Sequence, residues 1–163
     1  MTILTDDEIT KLIAEEKVLP TDYPRKFKTK AKSDNKYEEQ EFTVLGKGGH
    51  TFTIIFRKNK IDFLDFSIIL RYMDGPTGSG YNLVRYNGKH IHTNRMEGDS
   101  FHDFHKHLAT QKYQEAGQRI ESYAQVMTTY KSYDEAIKAF IRDLNFSVEL
   151  PESTSTLKDY GGG

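Results

Sequence analysis

Cysteine and tryptophan are both absent from this 163-residue sequence, and only four prolines occur. Without cysteine the chain has no disulfide scaffold, no thiolate zinc site, no iron–sulfur cluster and no cysteine nucleophile. No apolar run approaches the roughly 20 residues that cross a bilayer. The N-terminus is acidic and amphipathic, unlike a secretory signal. We therefore expect a soluble, cytoplasmic protein without membrane contact.

The net charge of −1 conceals an uneven distribution of charge. Residues 25–36 hold six Lys or Arg against one acid, whereas residues 6–16 hold five acids against one Lys. The basic stretch alternates with small and aromatic residues, which predicts an edge strand whose lysines discourage pairing with other sheets. Such a strand beside polar residues would attract anions.

Helix signals stand near the two ends of the sequence. Thr5 precedes three acidic residues and an apolar i, i+3, i+4 stripe, which predicts an N-capped helix that ends before Pro20. Ser132 and Glu135 form the S-x-x-E pattern of a capping box at the start of a second helix, 132–146.

The centre of the sequence has the composition of β-strands. Segments rich in β-branched and aromatic residues are separated by turn residues and occupy 41–46, 51–58, 62–74 and 81–87. Residues 46–50 and 74–80 contain the glycines of tight connections, and Asn87-Gly88 predicts a hairpin that leads into a strand over 89–93. The stretch after Phe101 is not periodic: it is either a short helix, a loop and a last strand, or one irregular connection.

These elements predict one α+β domain over residues 1–150. Its antiparallel sheet would have about five or six strands in a meander, with the N-terminal and C-terminal helices packed on one face. Residues 151–163 are polar and have nothing to bury, so we expect a flexible tail.

Histidine is the residue type that stands out, because five of the six histidines lie between positions 90 and 107. His90 and His92 would leave the same face of a strand. His105 and His107 share a face only if their segment is extended, whereas a helix would align His102 with His105.

Three chemistries fit this cluster, beside a purely structural role. Paired histidines with a carboxylate suit a metal ion. One histidine as base on a ribose 2′-hydroxyl and another as acid on the leaving oxygen would cleave a phosphodiester. The third possibility is contact with a phosphate or a nucleic acid without any chemistry.

The order of features from Arg85-Tyr86-Asn87 through His92 to His105-Lys106-His107 resembles the TumE-like toxin family of bacterial toxin–antitoxin modules, over about residues 62–146. The resemblance implies a protein that acts on RNA, and it singles out Arg85, Asn87, His92, His105 and His107. The chain departs from the family in its N-terminal helix and basic strand, and in the insertion before the last strand.

We therefore predict a protein directed at RNA or phosphodiesters, such as a toxin-like ribonuclease. The expected catalytic residues are His92, His105 and His107, and the expected phosphate-binding residues are Arg85, Arg95 and Lys106. No metal site and no cofactor are predicted. The alternative is a non-catalytic interaction, regulatory or anti-defence factor from a bacterium or mobile element, whose partner is a protein such as an antitoxin or a host factor.

Overall fold

A computed structural model describes residues 2–21, 28–30, 36–75, 78 and 80–148. The helices in these residues are α1 (Asp6–Ala14), α2 (Gln111–Glu115) and α3 (Tyr133–Asp143). The strands, in chain order, are β1 (Lys17–Leu19), β2 (Lys28–Lys30), β3 (Tyr37–Leu45), β4 (Thr51–Asn59), β5 (Phe66–Met73), β6 (Gly80–Lys89), β7 (His92–Thr93), β8 (Ser100–Phe101), β9 (Phe104–Leu108), β10 (Tyr123–Val126) and β11 (Phe146–Val148). The predicted tail 151–163 and most of the basic stretch 25–36 lie outside the described residues.

One antiparallel sheet contains seven strands in the order β10-β9-β6-β5-β4-β3-β2. Each strand from β2 to β6 pairs with the next along the chain, and β9 and β10 then continue the meander. The predicted α+β class with an antiparallel sheet is confirmed. About five or six strands were expected, and seven are present, because residues 104–108 are extended. The basic stretch contributes β2, which forms one edge of the sheet.

The two faces of the sheet differ in chemistry. Phe56, Ile68, Tyr86 and Lys106 form one row of directly paired residues, and the next row consists of Arg57, Ser67, Asn87 and His105. Directly paired residues point to the same side, and successive residues point to opposite sides. We call the side with Tyr86 the helix face and the side with Asn87 the pocket face.

The helix face carries the apolar core. Phe140 of α3 lies edge-on to Tyr86, with ring centroids 5.4 Å apart, and Tyr133 meets Phe66 at 5.5 Å. Ile9 and Leu12 of α1 belong to the same buried cluster. The predicted N-caps are confirmed, since the Thr5 hydroxyl accepts from the backbone N–H of Glu8 and that of Ser132 accepts from Glu135, each at 3.1 Å.

The predicted hairpin at Asn87-Gly88 is wrong, because both residues lie inside β6. A Cβ on Gly88 would stand 1.8 Å from the carbonyl oxygen of Leu64, so the close approach of that loop explains the glycine. The register shifts between Asn87 and Lys89. The strand expected over 89–93 is also interrupted, since β6 ends at Lys89 and β7 begins at His92.

The helix predicted over 132–146 is α3, and it ends earlier than predicted, at Asp143. Asn145 follows with φ 58°, a left-handed conformation that asparagine tolerates, and the chain then forms β11 in parallel to β1. This arrangement encloses Lys17, whose Nζ donates to the carbonyl oxygens of Ile13 at 2.6 Å and of Glu15 and Leu144 at 2.8 Å. The buried ammonium thus joins the ends of α1 and α3.

Candidate functional site

A polar pocket lies on the pocket face of the sheet. Its floor comes from neighbouring strands: Arg57 from β4, Ser67 from β5, Arg85 and Asn87 from β6, and His107 from β9. The wall is formed by residues around β7 and by the segment between α2 and β10, and the pocket, which is open to solvent, has a volume of about 680 Å³. A pocket of this size is in the range of small-molecule sites.

Asn94 attaches the β7–β8 hairpin to the sheet. Its side-chain amide accepts from the N–H of Ala124 at 2.8 Å and donates to the carbonyl oxygen of the same residue at 2.9 Å. The amide therefore pairs with edge strand β10 as another strand would. Its oxygen also lies 2.9 Å from Nε2 of His92. Asn94 thus fixes the position of that imidazole, a role that its place in the sequence next to the histidines does not reveal.

Four imidazole rings contact one another beside the pocket. His92 lies 4.7 Å from His107 and 5.6 Å from His105 between ring centroids, and the rings of His105 and His107 are 5.1 Å apart. His90 meets His105 at 4.6 Å. The structure therefore brings together the three histidines expected to be catalytic. Residues 104–108 form a strand rather than a helix, so His105 and His107 share the face that His92 contacts. His102 is exposed.

Hydrogen bonds define the tautomers of these rings. Nδ1 of His105 donates to the carbonyl oxygen of Asp103, and Nδ1 of His107 donates to that of Glu121, each at 2.8 Å. In the neutral ring, Nε2 is then the acceptor. Nε2 of His105 is buried and has no partner in the described part of the chain. His92 has the other tautomer, because Asn94 uses its Oδ1 as an acceptor.

Burial keeps the innermost rings neutral. Burial, together with repulsion from the neighbouring imidazoles, lowers the pKa of His105 to about 4 and that of His107 to about 3. At neutral pH these rings carry no charge. They therefore offer lone pairs to a hydroxyl or another donor, rather than positive charge to an anion.

Glu121 holds a buried polar cluster at one side of the pocket. Its Oε2 accepts from Asn82 at 2.7 Å, from Arg85 at 3.0 Å and from Arg119 at 3.1 Å. Burial alone would raise the pKa of this carboxyl, but the arginines and Asn82 lower it more, and the net pKa is lowered. Glu121 therefore stays ionised and balances one of the arginines.

Arg57 is the cation that the sequence analysis missed. Its guanidinium carbon stacks 3.8 Å from the centre of the Tyr37 ring, and it lines the pocket. Nε of Arg57 and Nε of Arg85 are buried and have no hydrogen-bond partner among the described residues. Two guanidinium groups of the pocket lining thus have an N–H donor that no described residue accepts.

The expected phosphate-binding residues do not all lie on the same face of the sheet. Arg85 and Arg95 line the pocket. Lys106 pairs with Tyr86 and therefore lies on the helix face, so grouping it with His105 and His107 was wrong. The physical reason is the strand period of two, which places neighbouring residues on opposite faces.

In the described ranges, no group of three or more His, Asp or Glu side chains has the geometry to hold a metal ion. No described helix is long and apolar enough to cross a membrane.

Comparisons with protein-family models, with curated proteins and with solved structures found no match. The resemblance to TumE-like toxins therefore stays a prediction.

Proposed function

We propose that the protein binds RNA by a phosphodiester group in the pocket, and that the histidine cluster cleaves the bound strand by acid–base chemistry. The main support is the pair of arginines on the floor, Arg57 and Arg85, with buried Nε–H donors that lack partners among the described residues. An unmade hydrogen bond from a buried charged group is costly. A phosphate oxygen is the acceptor that fits a guanidinium best.

The charge of the lining also favours an anion. Two carboxylates, Asp65 and Glu121, face four guanidinium groups, those of Arg57, Arg85, Arg95 and Arg119. These carboxylates and guanidinium groups together give the lining a net charge of +2. Low-dielectric walls concentrate such a field inside a cleft.

His107 is the best-placed base for a ribose. Its Nδ1–H is held by a backbone carbonyl, so Nε2 has a free lone pair, and the residue lines the pocket. A 2′-hydroxyl is the donor that complements this nitrogen and distinguishes RNA from DNA. Because the pKa of His107 is about 3, proton uptake needs the bound phosphate, whose negative charge raises that pKa.

In the proposed reaction, Nε2 of His107 takes the 2′-hydroxyl proton and the 2′-oxygen attacks phosphorus. The bond from phosphorus to the 5′-oxygen breaks, and the 5′-oxygen takes a proton from His92. His92 acts here in its imidazolium form, because the single N–H of the neutral ring is held by Asn94. The products are a 2′,3′-cyclic phosphate and a 5′-hydroxyl. Arg57 and Arg85 stabilise the charge that develops on the phosphate oxygens.

A non-catalytic RNA-binding or regulatory factor is the second candidate. It is favoured by the contact between the His92 and His107 rings, 4.7 Å apart at their centroids, because a phosphate does not fit between them. Any cleavage must therefore take place beside the pair, on the pocket side.

Binding is tested by titrating a labelled single-stranded RNA with the wild type, Arg57→Gln and Lys106→Gln. Both variants remove one positive charge, but Lys106 lies on the helix face. We expect Arg57→Gln to weaken binding about tenfold and to reduce the salt dependence by about one counterion. Lys106→Gln should leave both nearly unchanged. Equal losses in the two variants would exclude the pocket as the binding site.

Cleavage is tested on the same RNA by mass spectrometry of the products. The wild type should release 2′,3′-cyclic phosphate ends, and a strand with 2′-deoxyribose should stay intact. His107→Gln should lower the rate at least about a hundredfold, whereas the exposed His102→Gln should cleave normally. RNA that binds but stays intact would support the non-catalytic candidate. In that case the toxin activity, expected to slow host growth in the cytoplasm, would have no chemical basis in this cluster.

A further inference from the structure

The three most exposed large apolar side chains of the described residues lie near the pocket. Ile61 and Phe63, in the loop between β4 and β5, are 85% and 80% exposed, and Ile91, after β6, is 74% exposed. Single exposed apolar residues are common on protein surfaces. Three beside one polar pocket are the feature that needs an explanation.

The loop that carries Ile61 and Phe63 is held by its own side chains. Oδ1 of Asn59 accepts from the N–H groups of Ile61 at 2.9 Å and Asp62 at 3.0 Å. Oδ1 of Asp62 accepts from Leu64 at 3.0 Å. The exposed ring of Phe63 is therefore presented on an ordered turn, which reduces the entropy lost when a ligand stacks on it.

The loop borders the mouth of the pocket. The carbonyl oxygen of Leu64 accepts from the N–H of Lys89 at 2.8 Å, where β6 ends and the chain continues to His90. His90, Ile91 and Asp65 all line the pocket. Ile61 and Phe63, the apolar tip of this loop, are thus carried by a segment that leads directly into the pocket lining at Asp65.

We propose that Phe63 is a stacking platform for an unpaired base of the RNA strand whose phosphodiester occupies the pocket. This inference depends on the proposed function and specifies its substrate as single-stranded. An aromatic ring beside positive charge is the usual combination in proteins that bind single strands. A protein partner would need a larger apolar patch, and here the charged Asp62 and Lys89 interrupt the apolar side chains.

The absence of native tryptophan gives a direct test. Phe63→Trp introduces a single indole, whose fluorescence can be excited selectively over that of the ten tyrosines. Leu45→Trp is the matched control, because Leu45 is 63% exposed and precedes the turn at the other end of β4. Single-stranded oligouridine should quench the indole fluorescence of Phe63→Trp but leave that of Leu45→Trp unchanged. In a binding titration, Phe63→Ala should weaken the binding of single-stranded RNA about tenfold and change the binding of duplex RNA little. Phe63→Trp should bind single-stranded RNA as the wild type does.

The outcomes separate this inference from the proposed function. Loss of affinity in Arg57→Gln with no quenching of Phe63→Trp would overturn the stacking platform and leave the pocket intact, with the apolar tip available to a protein. Failure of the wild type to bind any RNA would overturn both. Circular dichroism and thermal unfolding of each variant confirm that the comparison is made on folded protein.

Discussion

Cationic side chains on the two sides of this molecule use their hydrogen-bond donors in opposite ways. On the helix side, Lys17 uses its ammonium donors on the carbonyls of Ile13, Glu15 and Leu144, and its Nζ lies 5.1 Å from the ring centre of Phe52. On the pocket face, Arg57 and Arg85 keep buried Nε donors without partners in the described residues. Satisfied donors indicate a structural cation, and unsatisfied donors indicate a place for a ligand.

Lys17→Met should have the largest effect on stability. The change leaves buried carbonyl oxygens at the ends of α1 and α3 without a donor, and we expect the free energy of unfolding to fall by about 4 kcal/mol. Arg57→Gln is the matched change on the other side and should cost only about 1 kcal/mol. It removes the stacking on Tyr37, but its Nε has no partner among the described residues that would be left unpaired. Urea unfolding at neutral pH measures both. Similar losses of unfolding free energy in the two variants would mean that Arg57 has a structural role, as Lys17 does.

Acid should destabilise the pocket face before the carboxylates titrate. Unfolded histidine takes up a proton near pH 6.5, whereas the folded pKa values of His105 and His107 are about 4 and about 3. Between these values the unfolded state binds more protons, so stability is greatest above about pH 6.5 and falls as the pH falls. Each histidine should account for about 1.5 kcal/mol between pH 6.5 and about pH 5.

The control for this pH dependence comes from the same segment. His107→Gln should reduce the loss of stability between these two pH values by that amount, and the exposed His102→Gln should reproduce the wild-type slope. Denaturant unfolding at both pH values gives the comparison. An unchanged slope in His107→Gln would show that this ring is already accessible to protons in the folded protein.

Local signals in the sequence predicted much of the fold. Thr5 and Ser132 cap helices as expected, and the alternating central segments form the antiparallel sheet. The dipeptide Asn87-Gly88 misled, because its turn preference is weaker than the pairing of β6 with both neighbours and the contact with Leu64. Local patterns contain no information about such a long-range contact.

The site was predictable only in part, for the same reason. The spacing of His105 and His107 allowed a shared face, and the strand β9 provides it. Arg57 and Glu121 were missed because they are 28 and 36 residues from Arg85 in the sequence and approach it only through the strand register and the returning chain. Lys106 was misplaced by proximity in sequence to two histidines of the opposite face.

The insertion of residues 90–103 between two adjacent strands has an evolutionary consequence. β6 and β9 are neighbours in the sheet, so a tight turn would be enough to connect them. The segment can therefore lengthen, shorten or change its residues while the sheet and its apolar core persist. In proteins that keep this sheet, residues 90–103 can change while the pocket floor stays the same. New ligand preferences can therefore arise by replacing these fourteen residues rather than the whole domain.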